Sequence, residues 1–290
     1  MSYNSRNCLR HHKLLIDGCV MYDLHCHILP GIDDGPPDWT TALDLARSLA
    51  AEGITHVAAT PHGPGSSQAR HHDPTLLREL VMQLRQHIQR SRIALQVTLG
   101  TELVLDIGMV DQLRAGTLLP YGSSRAILLE TPSHIVFEHL ERAIFELQLA
   151  GHRVVLAHPE RTRAIQDNPN MLVPLVERGV LMQITAGSLS GLHGDRLREV
   201  ATQLLSHDLA HIIASDAHSP AGTRAPAMRD ALAYASMVVG EENARAMVTT
   251  IPETLLNDGP LPALSPRPIA AIATSGRPSW WQRRRQGAVR

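Results

Sequence analysis

At 290 residues, with 43% hydrophobic and only 3% aromatic side chains, the chain can bury one large core, or two small ones, built mainly from Leu, Ile, Val and Ala. Its formal net charge of −1 gives no ground for the whole molecule to bind nucleic acid or an acidic surface. No apolar run is long enough to span a bilayer, so stable membrane insertion is not expected, and the only lysine, Lys13, argues against Schiff-base chemistry.

Residues 1–20 are polar and lack the apolar stretch and small-residue cleavage site of a secretory signal; they read as a disordered leader. The three cysteines, Cys8, Cys19 and Cys26, fall in the first tenth of the chain, and their odd number argues against a disulfide framework and suits the reducing cytoplasm. None is followed six positions later by Arg, so thiol-based phosphatase chemistry is absent. Cys26 reads as a small buried residue.

From residue 21 the pattern alternates strand with helix. Strands are expected at 21–27, 54–60, 94–102, 126–130, 153–158, 180–186 and 210–215. Helical periodicity marks 39–52, 74–90, 107–114, 137–150, 170–178, 194–206 and 224–237, several followed by a stop glycine such as Gly53, Gly116, Gly151 or Gly179. Seven βα units over 21–258 imply a parallel α/β barrel one unit short of the usual eight. After Asp258 the chain turns Pro-rich, carries no acidic residue and ends in Trp280-Trp281 followed by Arg283, Arg284 and Arg285; residues 259–290 read as a mostly disordered, solvated tail.

Ligand-type residues recur where the strands end. The first strand ends in His25-Cys26-His27, and alternate strand residues share a side, so the two imidazoles can aim at one point. Later strands run into His62, Glu102, Glu130, His158 and Asp216-Ala217-His218. In an α/β barrel all these ends lie on one face, which points to a polynuclear metal site. Imidazole and carboxylate without thiolate suits Mn²⁺, Fe²⁺ or Zn²⁺, and the carboxylate-rich set favours Mn²⁺.

The motifs His25-Cys26-His27-Ile-Leu-Pro-Gly-Ile-Asp33-Asp34-Gly35, Ala157-His158-Pro159-Glu160-Arg161 and Ser215-Asp216-Ala217-His218, with Thr60-Pro61-His62, Gly100-Thr101-Glu102 and Leu129-Glu130 in order between them, resemble the polymerase and histidinol phosphatase (PHP) superfamily. They most resemble its bacterial manganese-dependent protein-tyrosine phosphatases of capsular and exopolysaccharide operons. The resemblance implies a distorted (β/α)7 barrel with up to three metal ions. By position His25, His27, Glu102 and Asp216 would hold the first, Glu102, Glu130 and His158 the second, and Asp34, His62 and His218 the third. It further implies hydrolysis of phosphotyrosine by metal-bound hydroxide, on the flexible tail of a membrane-associated tyrosine autokinase.

A phosphoryl group also needs positive charge over its equatorial oxygens. Arg161 is the first candidate, its alternative role being an ion pair with Glu160; Arg224 is the second, matching a phosphate-binding arginine of the family. Asp33 is expected to orient a histidine ligand. The chain departs from the family at the pocket rim, with Gly63-Pro64-Gly65 after His62 and Ala225-Pro226 after Arg224. Two alternatives stand beside phosphotyrosine hydrolysis: a small phosphomonoesterase of the histidinol phosphatase kind, and a non-catalytic metal-binding module.

Overall fold

The computed structural model describes residues 20–106, 108–131 and 137–270. Cys8, Lys13, Cys19, Trp280, Trp281 and the three terminal-segment arginines at 283–285 lie outside those residues.

Eight parallel strands form the frame: β1 (Tyr22–Cys26), β2 (His56–Ala59), β3 (Gln96–Leu99), β4 (Glu102–Val104), β5 (Ala126–Glu130), β6 (Arg153–Ala157), β7 (Leu181–Thr185) and β8 (Ile212–Ala214). Continuous ladders join them as β1-β2-β3 and β4-β5-β6-β7-β8. Single parallel bridges connect the two sheets at both seams, His62 with Glu102 and Cys26 with Ala217. At the second seam the Asp216 and His27 amides donate to the His25 and Ala217 carbonyls at 2.7 and 2.9 Å, so the strands run round a ring.

The one strand expected at 94–102 is two, β3 and β4. The backbone stays alongside the extension of β2, Gly100 N–H donating to Ala59 O at 2.8 Å and Glu102 N–H to Pro61 O at 3.1 Å. At the break the buried Tyr121 ring packs against Gly100, where a Cβ would lie 2.8 Å from the ring, and the Leu99 carbonyl accepts from Gly122 N–H at 2.7 Å. The Tyr121 hydroxyl donates to Leu24 O at 2.9 Å, which fixes the ring inside the barrel.

Helices cover the outside. Trp39–Ala51 and Pro74–Arg90 match expectation and start on aspartate caps, Asp38 and Asp73, whose side chains accept from Thr41 and Thr75 amides. The segment expected at 170–178 is a 3-10 turn at Pro169–Leu172 that runs into an α-helix at Val173–Glu177, and the helix expected at 224–237 starts at Met228, because Pro226 biases the residue before it away from helix, and runs to Val239. Short helices at Arg163–Asp167, Ala186–Ser190, Glu241–Ala246 and Thr250–Leu256 carry too few turns to show a period in the sequence.

Inside the ring Tyr22, Leu24, Ala58, Leu128, Val155, Leu181 and Ile212 form a core that Leu255, Leu261 and Leu264 close from the strands' N-terminal side. Residues 259–270, the described part of the segment expected to be mostly disordered, lie largely exposed but are tied down at several points. Leu261 and Leu264 cover apolar surface, Arg267 Nε donates to Asp208 at 2.6 Å, and Asn170 and Ile269 exchange hydrogen bonds at 2.8 and 2.9 Å. The missing acids suggested solvation, but evenly spread Leu and Ile residues supply burial. Among the described residues no helix is long and apolar enough to cross a membrane.

Candidate metal centre

The nine expected ligands lie on the opposite face, Glu102 at the junction of β3 and β4, Asp34 in the loop after β1 and the others at or just past the C-terminal ends of strands. They form overlapping groups whose ligand atoms fall within 4.8 Å of one another: His27, Asp34, His62 and His218; His25, His27 and Asp216; His25, Glu102 and His158; and His62, Glu102 and Glu130.

Hydrogen bonds on Nδ1 turn three of the imidazoles, two of them to partners outside the cluster. β1 ends at Cys26, which points the other way, its thiol donating to Ala217 O at 3.4 Å. His25 Nδ1 donates to Gln183 Oε1 at 2.9 Å, and His27 Nδ1 to Asp33 Oδ2 at 2.7 Å. His218 Nδ1 donates to the Asp216 carbonyl at 2.9 Å. In each the Nε2 lone pair is left for the centre. His25 Nε2 and His27 Nε2 stand 3.2 Å apart and 3.4 and 3.3 Å from Glu102 Oε2. His158 Nε2 lies 2.9 Å from Glu102 Oε1, His62 Nδ1 2.9 Å from Glu102 Oε2, and His218 Nε2 3.3 Å from Asp34 Oδ1. Glu102 is thus the hub on which four imidazoles converge.

The loop after β1 is shaped for this. Asp33 accepts from Gly35 N–H at 2.9 Å and His62 N–H at 3.1 Å as well as from His27. Gly35 has no alternative, since a Cβ would sit 2.3 Å from the His27 carbonyl. His158 and Asp216 both adopt left-handed backbone, with φ of 32° and 50°, a conformation that costs of order 1–3 kcal/mol in a non-glycine residue and concentrates at functional sites.

The electrostatics call for cations. Burial opposes a charge on His27, yet the bonds to Asp33 and Glu102 overcome it and hold the imidazole up to about 10. His62 is likewise raised to about 9 by Asp34 and Glu102 against its burial. Glu102 is fully buried, which disfavours its charge, but His25, His158 and His27 pull it well below the carboxylate range. Burial and the neighbouring Glu102 charge raise Glu130. Asp34 Oδ1, His62 Nδ1, Glu102 Oε2 and His218 Nε2 are buried with no hydrogen-bond partner. Buried polar atoms left without hydrogen bonds are costly, and once the imidazoles shed their extra protons a divalent ion fits this donor set.

Both arginines stand at the mouth. The turn Pro159–Arg161 that follows His158 brings Arg161 Nη1 to 2.5 Å from Asp216 Oδ2. Glu160, the alternative partner, is turned inward and accepts from Thr185 N–H at 3.0 Å and Ser188 Oγ at 2.8 Å. Arg224 Nη1 donates to Asp34 Oδ2 at 2.8 Å. Each guanidinium has five donors in a fork, so further donors remain to grip an oxyanion.

Gln183, Asp23 and Ser215 were missed in the sequence. Asp23 is fully buried and accepts from Ser215 Oγ at 2.5 Å and Ser215 N–H at 2.9 Å, tying β1 to the end of β8; burial raises it to about 6 against those bonds. The signal was present: a Gln inside the apolar Leu181–Thr185 strand and an Asp two residues before His25 are polar groups at buried positions, which need partners. A groove lined by Leu105, Met109, His139, Glu146 and Leu149 lies between helices Met109–Ala115 and Phe137–Leu149, and none of its residues belongs to the ligand groups above.

The profile of the capsular polysaccharide synthesis family CpsB/CapC matches residues 21–257. The chain is 36% identical over 250 residues to the tyrosine-protein phosphatase YwqE of Bacillus subtilis, covering 86% of this chain and 96% of YwqE. It is 23% identical over 243 residues to the tyrosine-protein phosphatase CpsB of Streptococcus pneumoniae, covering 82% and 99%. A crystal structure from a study of YwqE and CpsB, described as unique metal-dependent tyrosine phosphatases, superposes with a TM-score of 0.81 at 34% identity, covering 87% of this chain and all of that one.

Proposed function

The chain belongs to the CpsB/CapC capsular polysaccharide synthesis family, and from that premise we propose that it is a metal-dependent phosphatase that hydrolyses phosphotyrosine on protein. The observation that carries this reading is the convergence of nine His, Asp and Glu side chains beneath two arginines at one end of the barrel. YwqE and CpsB, to which the chain is similar, carry the name tyrosine-protein phosphatase.

In this reading, carried over from the family resemblance, His25, His27, Glu102 and Asp216 would hold one ion, Glu102, Glu130 and His158 a second, and Asp34, His62 and His218 a third; the ligand atoms themselves group Glu130 with His62 and Glu102, His158 with His25 and Glu102, and His27 with the Asp34, His62 and His218 set. Mn²⁺ is the preferred occupant on the carboxylate content, with Fe²⁺ or Zn²⁺ as alternatives. When bound, such ions supply an activated water and positive charge on the phosphoryl oxygens. The protein's own residues do the rest. Gln183 and Asp33 lock the tautomers of His25 and His27, so no rearrangement is needed when ligands bind. Arg161 and Arg224 fix the phosphate and spread positive charge over its equatorial oxygens, where charge develops during transfer. The cluster is buried, with Glu102 only 1% exposed, so those charges act with little screening.

The substrate we assign is the tyrosine-containing tail of a membrane-associated autokinase of polysaccharide export, and the setting is the cytoplasm. A flexible tail can bring its phosphate to the strand ends, where a tyrosine packed in a folded surface cannot. The test is a comparison of initial rates on a phosphotyrosine peptide, the matching phosphoserine peptide and histidinol phosphate with Mn²⁺ present. Preference for the phosphotyrosine peptide is expected; preference for histidinol phosphate would transfer the assignment to a small phosphomonoesterase.

A further inference from the structure

His193 lies just after the helix Ala186–Ser190, and nothing in the cluster accounts for it. Its imidazole reaches two separate loops. Nε2 is 3.1 Å from the Thr223 carbonyl, the residue immediately before Arg224. Nδ1 is 3.4 Å from Arg161 Nη2 and 3.4 Å from Ser188 Oγ. A carbonyl only accepts, so the proton sits on Nε2 and Nδ1 presents a lone pair. The Ser188 hydroxyl already donates to Glu160, so the donor facing that lone pair is Arg161.

Arg161 is therefore held on two sides, by Asp216 through Nη1 and by His193 through Nη2. The same ring anchors the backbone from which Arg224 projects toward Asp34. Gly187 makes this possible. A Cβ there would fall 2.5 Å from His193 Cε1 and Nε2, so the ring occupies the space that any other residue would fill. Half-burial and then the Arg161 charge lower the His193 pKa, which keeps the imidazole neutral and its Nδ1 free to accept.

We propose that His193 is a positioning residue that sets the spacing and orientation of the two phosphate-gripping arginines, Arg161 directly and Arg224 through the Thr223 carbonyl. The proposal rests on the phosphatase reading above. It makes His193 a determinant of phosphate affinity and not of metal affinity, because no ligand in the nine-residue set bonds to it.

The test uses the full chain loaded with Mn²⁺, reading KM and kcat on a phosphotyrosine peptide and inhibition by inorganic phosphate. His193→Phe keeps a ring but removes both hydrogen bonds; His193→Gln keeps one donor and one acceptor. His193→Phe is expected to raise KM and weaken phosphate inhibition about tenfold, the loss of one hydrogen bond to a charged group, with Mn²⁺ affinity unchanged and His193→Gln recovering part of the effect. Gly187→Ala, which touches neither arginine, is expected to shift the same two quantities in the same direction. In the Zn²⁺-loaded chain, ¹⁵N NMR is expected to find the His193 proton on Nε2 and to show its Nδ1 signal moving on phosphate addition. Unchanged KM and phosphate inhibition in a folded, active His193→Phe variant would overturn the proposal, as would a proton on Nδ1. No turnover of the peptide by wild-type protein would instead overturn the phosphatase reading.

Discussion

Replacing Asp33 by asparagine exchanges one heavy atom and should loosen the whole cluster. Asp33 is 1% exposed and accepts three hydrogen bonds, from His27 Nδ1 and His62 N–H on Oδ2 and from Gly35 N–H on Oδ1. A carboxylate serves both sides, whereas an amide accepts on one only. With its oxygen toward His27, the new NH₂ opposes the Gly35 amide. Turned over, it faces His27 Nδ1, whose proton must then move to Nε2, the atom aimed at Glu102 and Asp216. Either way a buried donor loses its partner, at about 1–3 kcal/mol. Removing such an outer partner of a metal-ligating histidine lowers metal affinity about 10–100-fold, which is about 1.4–2.8 kcal/mol. Chelator competition should show the Mn²⁺ dissociation constant of Asp33→Asn rising by that factor, with much of the turnover restored at saturating Mn²⁺. A folded Asp33→Asn protein with wild-type Mn²⁺ affinity would refute the argument that Asp33 fixes the His27 tautomer.

Three further outcomes follow from particular contacts. His211, at the N-terminal end of β8, accepts from Met182 N–H at 3.0 Å, and burial lowers its pKa from 6.5 to about 4. Between those values the unfolded chain binds a proton that the folded chain refuses, so stability falls as pH drops from 6.5 toward 4; at about 1.4 kcal/mol per tenfold change in proton affinity the loss reaches about 3 kcal/mol. Denaturation at a series of pH values should show this slope, and His211→Gln should flatten it. Gly100→Ala should overpack the barrel against the fixed Tyr121 ring at about 1–3 kcal/mol, read as a lower melting temperature. Arg161→Lys should raise KM on a phosphotyrosine peptide about tenfold or more, because a point charge replaces a fork that holds Asp216 and phosphate together.

The convergence of the candidate ligands was legible because chemistry and topology coincide in them. His25, His27, His62, Glu102, Glu130, His158, Asp216 and His218 each stand at or just past a strand end, and parallel strands bring their ends to one face. Asp33 was legible as an orienting residue from its place beside Asp34. What stayed hidden depends on long-range contact. Gln183 meets His25 across 158 positions, and His193 reaches Arg161 and Thr223 only because Gly187 leaves room beneath it. No local pattern encodes such meetings. The close packing of Tyr121 on Gly100, more than twenty positions away, is likewise a meeting the local pattern does not show. The packing of residues 259–270 was hidden because composition reports net polarity, and a few leucines placed over a barrel floor outweigh it.

The central claim is that these side chains form one metal centre that hydrolyses phosphotyrosine. Its most direct test is turnover of a phosphotyrosine peptide by metal-stripped protein, before and after addition of Mn²⁺, beside the His25→Ala/His27→Ala variant. The account predicts no activity when stripped, recovery with Mn²⁺ in the wild type and none in the variant. Turnover that persists without metal, or that the variant regains with Mn²⁺, would contradict it.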